Sequence, residues 1–421
     1  MNVSPVWQSR LKALGPGLLW AGAAIGVSHL VQSTRAGASF GFSLIWVVLV
    51  ANLFKYTAFE FGPRYAAAMG ESLLDGYQRV GKWALLVFLV MTFGTMWTIQ
   101  AAVTVVTAGL AIKIFGIAWS PVVWSTIILA ICAGILTIGK YPLLDKLIKV
   151  IIITLTISTI FAVIGAINHG SSVKPDFQAP KIMTVAGISF LVALMGWMPS
   201  AIDISVWHSL WTIERKNETG VAPSLKAALF DFRLGYFGTA FLAMGFLTLG
   251  ALIMYGTGET FSGSGGAFAG QFINLYTSTL GDWSYLIVAI ASFTTMFSTT
   301  LTVTDAFPRV MTRSTELIFP GKYKGQNTSH LYWIWMVVVL GGGLLIIGLF
   351  MKGMTMLVDL ATTLSFLTAP ILAYINYRAV TGSWMPEGTR PGRRMLILNW
   401  VSMIFLAGFA LFFIVWRFML N

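Results

Sequence analysis

Two groups of residues in this chain have types and spacing suited to holding a cation. The first is Gly22-Ala23-Ala24-Ile25-Gly26-Val27-Ser28-His29, where a hydroxyl and an imidazole follow a helix-breaking glycine. The second is Gly196-Trp197-Met198-Pro199-Ser200-Ala201-Ile202-Asp203, which offers a thioether, a hydroxyl and a carboxylate around a proline. Both interrupt long apolar runs. In a bilayer the freed N–H and C=O groups find no water, so such a break persists only where protein or a cavity satisfies them. Matched interruptions in the two halves of a chain, each followed by a lone ionisable residue, point to the substrate site of a secondary transporter. The expected substrate-binding residues are therefore Gly26, Ser28, His29, Met198, Pro199, Ser200 and Asp203. If the substrate is a metal, its expected ligands are His29, Asp203 and Met198, the soft thioether favouring a transition ion over magnesium.

Asp203 stands four residues after Pro199, with no Lys or Arg in the same apolar run. A carboxylate at that depth needs a cation, a proton or a partner from another helix. His29 is either a ligand or an internally hydrogen-bonded ring. Trp97, Trp197 and Trp207 either pack between helices or line a cation-accommodating cavity. Thr304 and Asp305 end a Thr-rich apolar stretch that lines a wet path or bonds to neighbouring helices. Asp359 lies near the start of its run, where an outer vestibule is expected. Lys55, Glu60 and Arg64 share one run. Glu60 and Arg64 have the four-residue spacing of a helical ion pair, and the group reads as a set of neutralised charges.

Composition fixes the elements that must position these residues. The chain has 421 residues, 57% hydrophobic and 10% charged, with a mean hydropathy of +0.80. Soluble domains carry about 25% charged residues, so this is an all-α polytopic membrane protein. Eleven stretches are long enough to cross the bilayer: 14–34, 44–67, 84–112, 121–138, 147–167, 182–210, 234–255, 285–306, 333–350, 354–377 and 395–420. Arg10 and Lys12 precede a run that continues past signal-peptide length, which makes it the first span. Spans one and six start from opposite sides and both are broken. Residues 1–421 therefore form one transporter domain, with inverted five-span repeats at about 14–167 and 182–377 and an extra helix at 395–420. The segment 256–282 is Gly/Ser-rich, with a short amphipathic helix expected around 267–280. It is a flexible connection or an external gate.

The formal charge of +12 does not mark a nucleic-acid binder, because the basic residues lie at span ends. Twenty of them fall in the segments on the N-terminal side and six in the opposite ones. That places the N-terminus in the cytoplasm and the C-terminus outside, in a prokaryotic inner membrane. The lone Cys132 allows no intrachain disulfide. No P-loop, GxSxG or HExxH motif occurs, so neither an enzyme nor ATP-driven transport is expected. No cofactor is expected either, and a monomer in the lipid bilayer suffices.

The run Gly15-Pro16-Gly17-Leu18-Leu19, then Ala24-Ile25, then 36–53 (AGASFGFSLIWVVLVANL) resembles the first two helices of the NRAMP family of divalent-metal transporters. Met198-Pro199 with His208-Ser209 is similar to that family's sixth helix, and 291–303 to its eighth. The resemblance implies a LeuT-type inverted-repeat fold with discontinuous helices one and six, and alternating access around a midplane site. The departures fall on the chemistry. The family's Asp-Pro-Gly-Asn motif reads Gly26-Val27-Ser28-His29 here, and its Met-Pro-His reads Met198-Pro199-Ser200. Anchoring on His208-Ser209 instead puts Asp203 in the place of that histidine. The third-helix acids and ninth-helix bases associated with proton movement are missing.

Three functions follow. The first is an NRAMP-related secondary transporter of a cation, a divalent metal by resemblance, without the family's type of proton coupling. The second is a carrier of a small organic cation or amino-acid-like solute, its ammonium near Asp203. The third is a transport-dead sensor or binding protein.

Overall fold

The computed structural model describes residues 15–138, 140–169, 173–323, 327–350 and 353–419; for 140–149, 169, 418 and 419 it describes the backbone only. Arg10, Lys12, Lys324 and Lys352, and the side chains of Lys140, Lys146 and Lys149, all used in the charge count above, lie outside the described parts. Among the described residues the chain is helical, with no strand.

Among the described residues, nine helical stretches are long and apolar enough to cross a bilayer. The two expected spans that this leaves out are the interrupted ones. Span one consists of α1 (Pro16–Ala24), a π-helical turn (Ser28–Ser33) and α2 (Thr34–Phe40), running on into span two, α3 (Ile45–Met69). A short α4 (Leu73–Val80) leads to α5 (Lys82–Phe115), α6 (Pro121–Ile138) and α7 (Lys140–His169). Span six is split into α8 (Val185–Trp197) and α9 (Ile204–Thr219). The remaining longer helices are α10 (Leu225–Ile253), α11 (Gly265–Leu280), α12 (Tyr285–Ile318), α13 (Ser329–Leu349), α14 (Met354–Thr381) and α15 (Arg393–Met419). The helix expected around 267–280 is α11. It turns Phe268, Phe272, Ile273 and Tyr276 inward against α5 and α7, so it is a packed element and not a loose connection.

Span one is held along its length by α10. The first N–H groups of α1 have no partner within the helix. The buried carboxylate of Asp231 on α10 accepts from Gly15 N at 3.3 Å and Gly17 N at 2.6 Å. A carboxylate at a helix N-terminus also meets the positive end of the dipole. Further along, a Cβ at Gly37 would sit 1.9 Å from the Leu247 carbonyl oxygen, so only glycine lets α2 and α10 touch backbone to backbone. Such small-residue contacts are how membrane helices pack without a hydrophobic driving force.

Candidate functional site

The first break is narrow. Between α1 and the π-turn only Ile25 and Gly26 leave the helical conformation, and hydroxyls take up the freed carbonyls. Ser28 Oγ lies 2.6 Å from Ala24 O and 2.7 Å from His29 Nδ1, its one proton shared between these two acceptors. The Thr299 hydroxyl on α12 lies 3.0 and 3.2 Å from Gly22 O and Ile25 O. A Cβ at Gly26 would stand 2.7 Å from Thr299 Oγ1, so Gly26 is what allows this approach.

The second break is wide and charged. The last carbonyls of α8 have no partner inside the helix. Lys55 of α3, fully buried, donates to three carbonyls there: Met195 at 2.6 Å, Gly196 at 2.7 Å and Ser200 at 3.0 Å. Asp203 closes the break at the N-terminus of α9, where the helix dipole favours a carboxylate. Its Oδ1 is buried without a hydrogen-bond partner. The charges of Asp203 and Lys55 act on each other.

Between the breaks lies a cavity of about 20 Å³, room for one water-sized or ion-sized occupant. Ser28, Ser200 and Asp203 bring polar groups to its wall, Trp197 and Trp207 bring rings, and the remainder is mainly aliphatic. A second, smaller cavity of about 10 Å³ touches Asp203 from the other side, beside Thr92, Thr95, Ser365 and Thr368. Ala201 and Asp203 line both, and Asp203 is the charged residue they share.

Of the expected binding residues, the structure brings Ser28, Ser200 and Asp203 to the cavity. Gly26, Met198 and Pro199 are buried beside it without lining it. His29 turns away. With its proton on Nε2 the ring donates to Thr239 O on α10 at 2.9 Å, and Nδ1 meets the Ser28 hydroxyl at 2.7 Å. The expected ligand set of His29, Asp203 and Met198 is therefore not assembled, because both ring nitrogens are used and Met198 packs off the cavity. Among the described residues no cluster of three or more His, Cys, Asp or Glu is placed to hold a metal. Both sixth-helix registers give the same result, since Ser200 and Asp203 face the cavity together.

Trp207 lines the cavity, whereas Trp97 does not: its indole donates to Val338 O at 3.1 Å on α13. Thr304 is buried, within 3.3 Å of Gln100 Nε2, and lines none of these cavities. Asp305 lines a much larger hollow of about 500 Å³ near the end of α12, shared with Glu214, Arg309, Arg313 and Tyr332. There it accepts from Arg309 Nε at 2.7 Å, the Tyr332 hydroxyl at 2.9 Å and Trp211 Nε1 at 3.4 Å. Trp207 packs on Phe307 and Trp211, ring centroids 5.0 and 6.1 Å apart, so aromatic rings lie between hollow and cavity. At the other end Asp359 of α14 pairs with Arg35 of α2 at 2.8 Å and accepts from Gln32 at 3.0 Å.

Glu60 and Arg64 form their pair at 2.6 Å, but Lys55 is not part of it. Lys55 and Thr299 are the residues that the sequence reading missed at the site. The one signal for Lys55 was its five-residue offset from Glu60, which leaves a mid-span lysine without a helical partner.

The sequence model of natural resistance-associated macrophage protein-like (Nramp) proteins matches residues 17–416. This chain belongs to the Nramp family. It is 38% identical to an uncharacterized protein of Pasteurella multocida (strain Pm70), over 97% of this chain and 93% of that protein. It is 25% identical to the divalent metal cation transporter MntH of Latilactobacillus sakei subsp. sakei, over 65% of this chain and 59% of that one. Among solved structures, a mutant of the Eremococcus coleocola manganese transporter superposes with a TM-score of 0.67 at 14% identity, covering 100% of this chain and 90% of that one. MhsT in complex with L-phenylalanine gives 0.62 at 13%, covering 96% and 98%. At such identities the structures show the fold alone, which is LeuT-type. Family and fold make the Nramp chain a multi-pass membrane transporter and not an enzyme.

Proposed function

We propose that this Nramp protein carries a cation by alternating access, the cation pairing with Asp203 in the cavity between the two breaks. The observation that carries the reading is the buried, unpartnered Oδ1 of Asp203 in a cavity that two interrupted helices enclose. Membership of the family supports a divalent metal ion as the cation. The relatives named as a divalent metal cation transporter and a manganese transporter point the same way. The ligands of such an ion here are Asp203, the hydroxyls of Ser28 and Ser200 and nearby carbonyls, an oxygen-rich set.

The repeats at about 14–167 and 182–377 move against each other around this site, with 395–420 outside them. In a prokaryotic inner membrane with a cytoplasmic N-terminus and an external C-terminus, the hollow at Asp305 is the inner vestibule and the Arg35–Asp359 pair closes the outer side. The aromatic rings at Trp207 form the inner barrier. The conformation described is then closed on both sides. Coupling to protons in the family's manner is absent, because α5 holds no Asp or Glu and α13 no Lys or Arg.

A second reading keeps the scaffold and changes the cargo to a small organic cation. It is favoured by Trp197 and Trp207, whose rings flank Asp203 in a mostly aliphatic cavity and suit an ammonium.

Flux into liposomes decides between them. A panel of manganese, iron, zinc and magnesium is set against a panel of amines and amino acids. Saturable uptake of a metal supports the first reading, uptake of amines alone supports the second, and no uptake of either sinks both. A pH-sensitive dye in the same liposomes should record no stoichiometric acidification.

A further inference from the structure

Lys55 is buried at mid-span, and all three protons of its ammonium are committed to the carbonyls of Met195, Gly196 and Ser200. A lysine at that depth is costly and calls for a reason beyond packing. The carbonyls supply one. Those of Met195 and Gly196 are orphan acceptors at the C-terminal end of a half-helix, where the dipole is negative, and that of Ser200 lies in the break itself. In transporters built on broken helices, such unwound carbonyls and half-helix C-termini are what coordinates the coupling ion. Here a primary ammonium fills that position, tethered to α3 by its own side chain. Carbonyl oxygens that replace a cation's hydration shell accept potassium and ammonium alike, because the two ions are of similar size and charge. Asp203, a few residues further along the same break, supplies the opposite charge.

We propose that Lys55 is a resident cation: it permanently occupies a monovalent-cation site formed by the carbonyls of Met195, Gly196 and Ser200, and so makes the protein independent of an external coupling cation. Removing the side chain converts the position into a site for a free ion. Lys55 acts on transport as a positioning residue that holds the sixth-span break open beside Asp203.

The test uses the full-length protein and needs no knowledge of the cargo. Thermal unfolding is measured at equal ionic strength in N-methyl-D-glucamine, potassium or methylammonium chloride. The parent should melt at the same temperature in all three. Lys55→Ala should melt lower in N-methyl-D-glucamine and be raised by potassium or methylammonium, since an ion that binds only the folded form stabilises it by mass action. A variant as insensitive to these ions as the parent overturns the proposal. So does a parent that gains stability from potassium. Should Lys55→Ala fail to yield monodisperse protein in N-methyl-D-glucamine, its recovery in methylammonium supports the proposal, and its loss in every salt overturns it. Manganese flux supplies a second readout. Parent flux should be equal in the three salts, and a requirement for potassium of about ten-fold or more overturns the proposal. This readout rests on the metal-transport reading, whereas the melting experiment does not. A parent without flux therefore refutes that reading and leaves the role of Lys55 to the melting result.

Discussion

The two breaks solve the same problem with different chemistry. In span one the interruption is two residues long, and its carbonyls are met by the neutral hydroxyls of Ser28 and Thr299. In span six it is six residues long, Met198 to Asp203, and its carbonyls are met by a charged ammonium with a carboxylate close by. A hydroxyl cap adds no net charge and closes the chain tightly on itself. An ammonium cap adds a full charge at membrane depth, which must be balanced, and Asp203 stands where it does so. The first break is therefore a shaped wall, while the second carries the electrostatics that a cation would sense. On the proposed reading, the charged side of the site lies on helix six and not on helix one, where the family's motif has its aspartate.

The largest effect that separates the two breaks is expected from Asp203→Asn. The change keeps size but removes the charge. Cation binding, followed by calorimetry on monodisperse protein, should weaken by about 1.5–3 kcal/mol, the worth of a hydrogen bond to a charged group. That is roughly ten-fold or more in affinity. Unchanged binding would make Asp203 a structural counter-charge for Lys55 and erase the contrast between the breaks.

Thr299→Val should act differently. It leaves Gly22 O and Ile25 O without the hydroxyl and should lower stability by about 1–3 kcal/mol, the desolvation cost of an unmet buried acceptor. Affinity per folded molecule should change much less than in Asp203→Asn. Chemical denaturation and binding measured on the same preparation would show whether stability and affinity separate in this way. If Thr299→Val weakens binding as strongly as Asp203→Asn, the first break also contributes directly to the cation site.

The smallest effect is expected at Asp359→Asn. The Asp359 side chain is 38% exposed and its pair with Arg35 is screened by water, so stability should change by about 1 kcal/mol or less. Substrate affinity should stay near that of the parent. A loss comparable to Asp203→Asn would move the cation site outward, away from both breaks.

The sequence made the fold legible to a large extent because membrane physics is strict. Apolar length, Gly and Pro punctuation and lone ionisable residues locate the spans and both breaks, and the amphipathic pattern near 267–280 locates α11. The partners of the polar groups were less legible. His29 follows Gly26 in the sequence and looks like a ligand, yet the π-turn rotates it toward Thr239 on α10. Lys55 lies far from span six in sequence, and only tertiary packing reveals that it ends on the α8 carbonyls. Trp97 and Trp207 are both tryptophans within apolar runs, but one faces α13 and the other the cavity. Helical direction at a break depends on how the chain leaves it, and no local spacing rule encodes that.

The ties between span one and α10 have a mechanical consequence. Asp231 grips the start of α1, His29 joins the π-turn to Thr239, and Gly37 lets α2 lie directly on the α10 backbone. Three fastenings spread along one broken span make it a rigid strut, with α10 as its brace. Bending at residues 25–26 would have to pull against all of them. The longer segment from Met198 to Asp203 is pinned on its near side by Lys55, and beyond it α9 lies directly on the α3 backbone, where Gly62 meets Ser205, while Asn376 of α14 donates to Ser205 Oγ at 2.8 Å. Both breaks are thus stretches of open backbone clamped on either side by neighbouring helices, and the six residues of the second serve as a charged wall between two fixed half-helices.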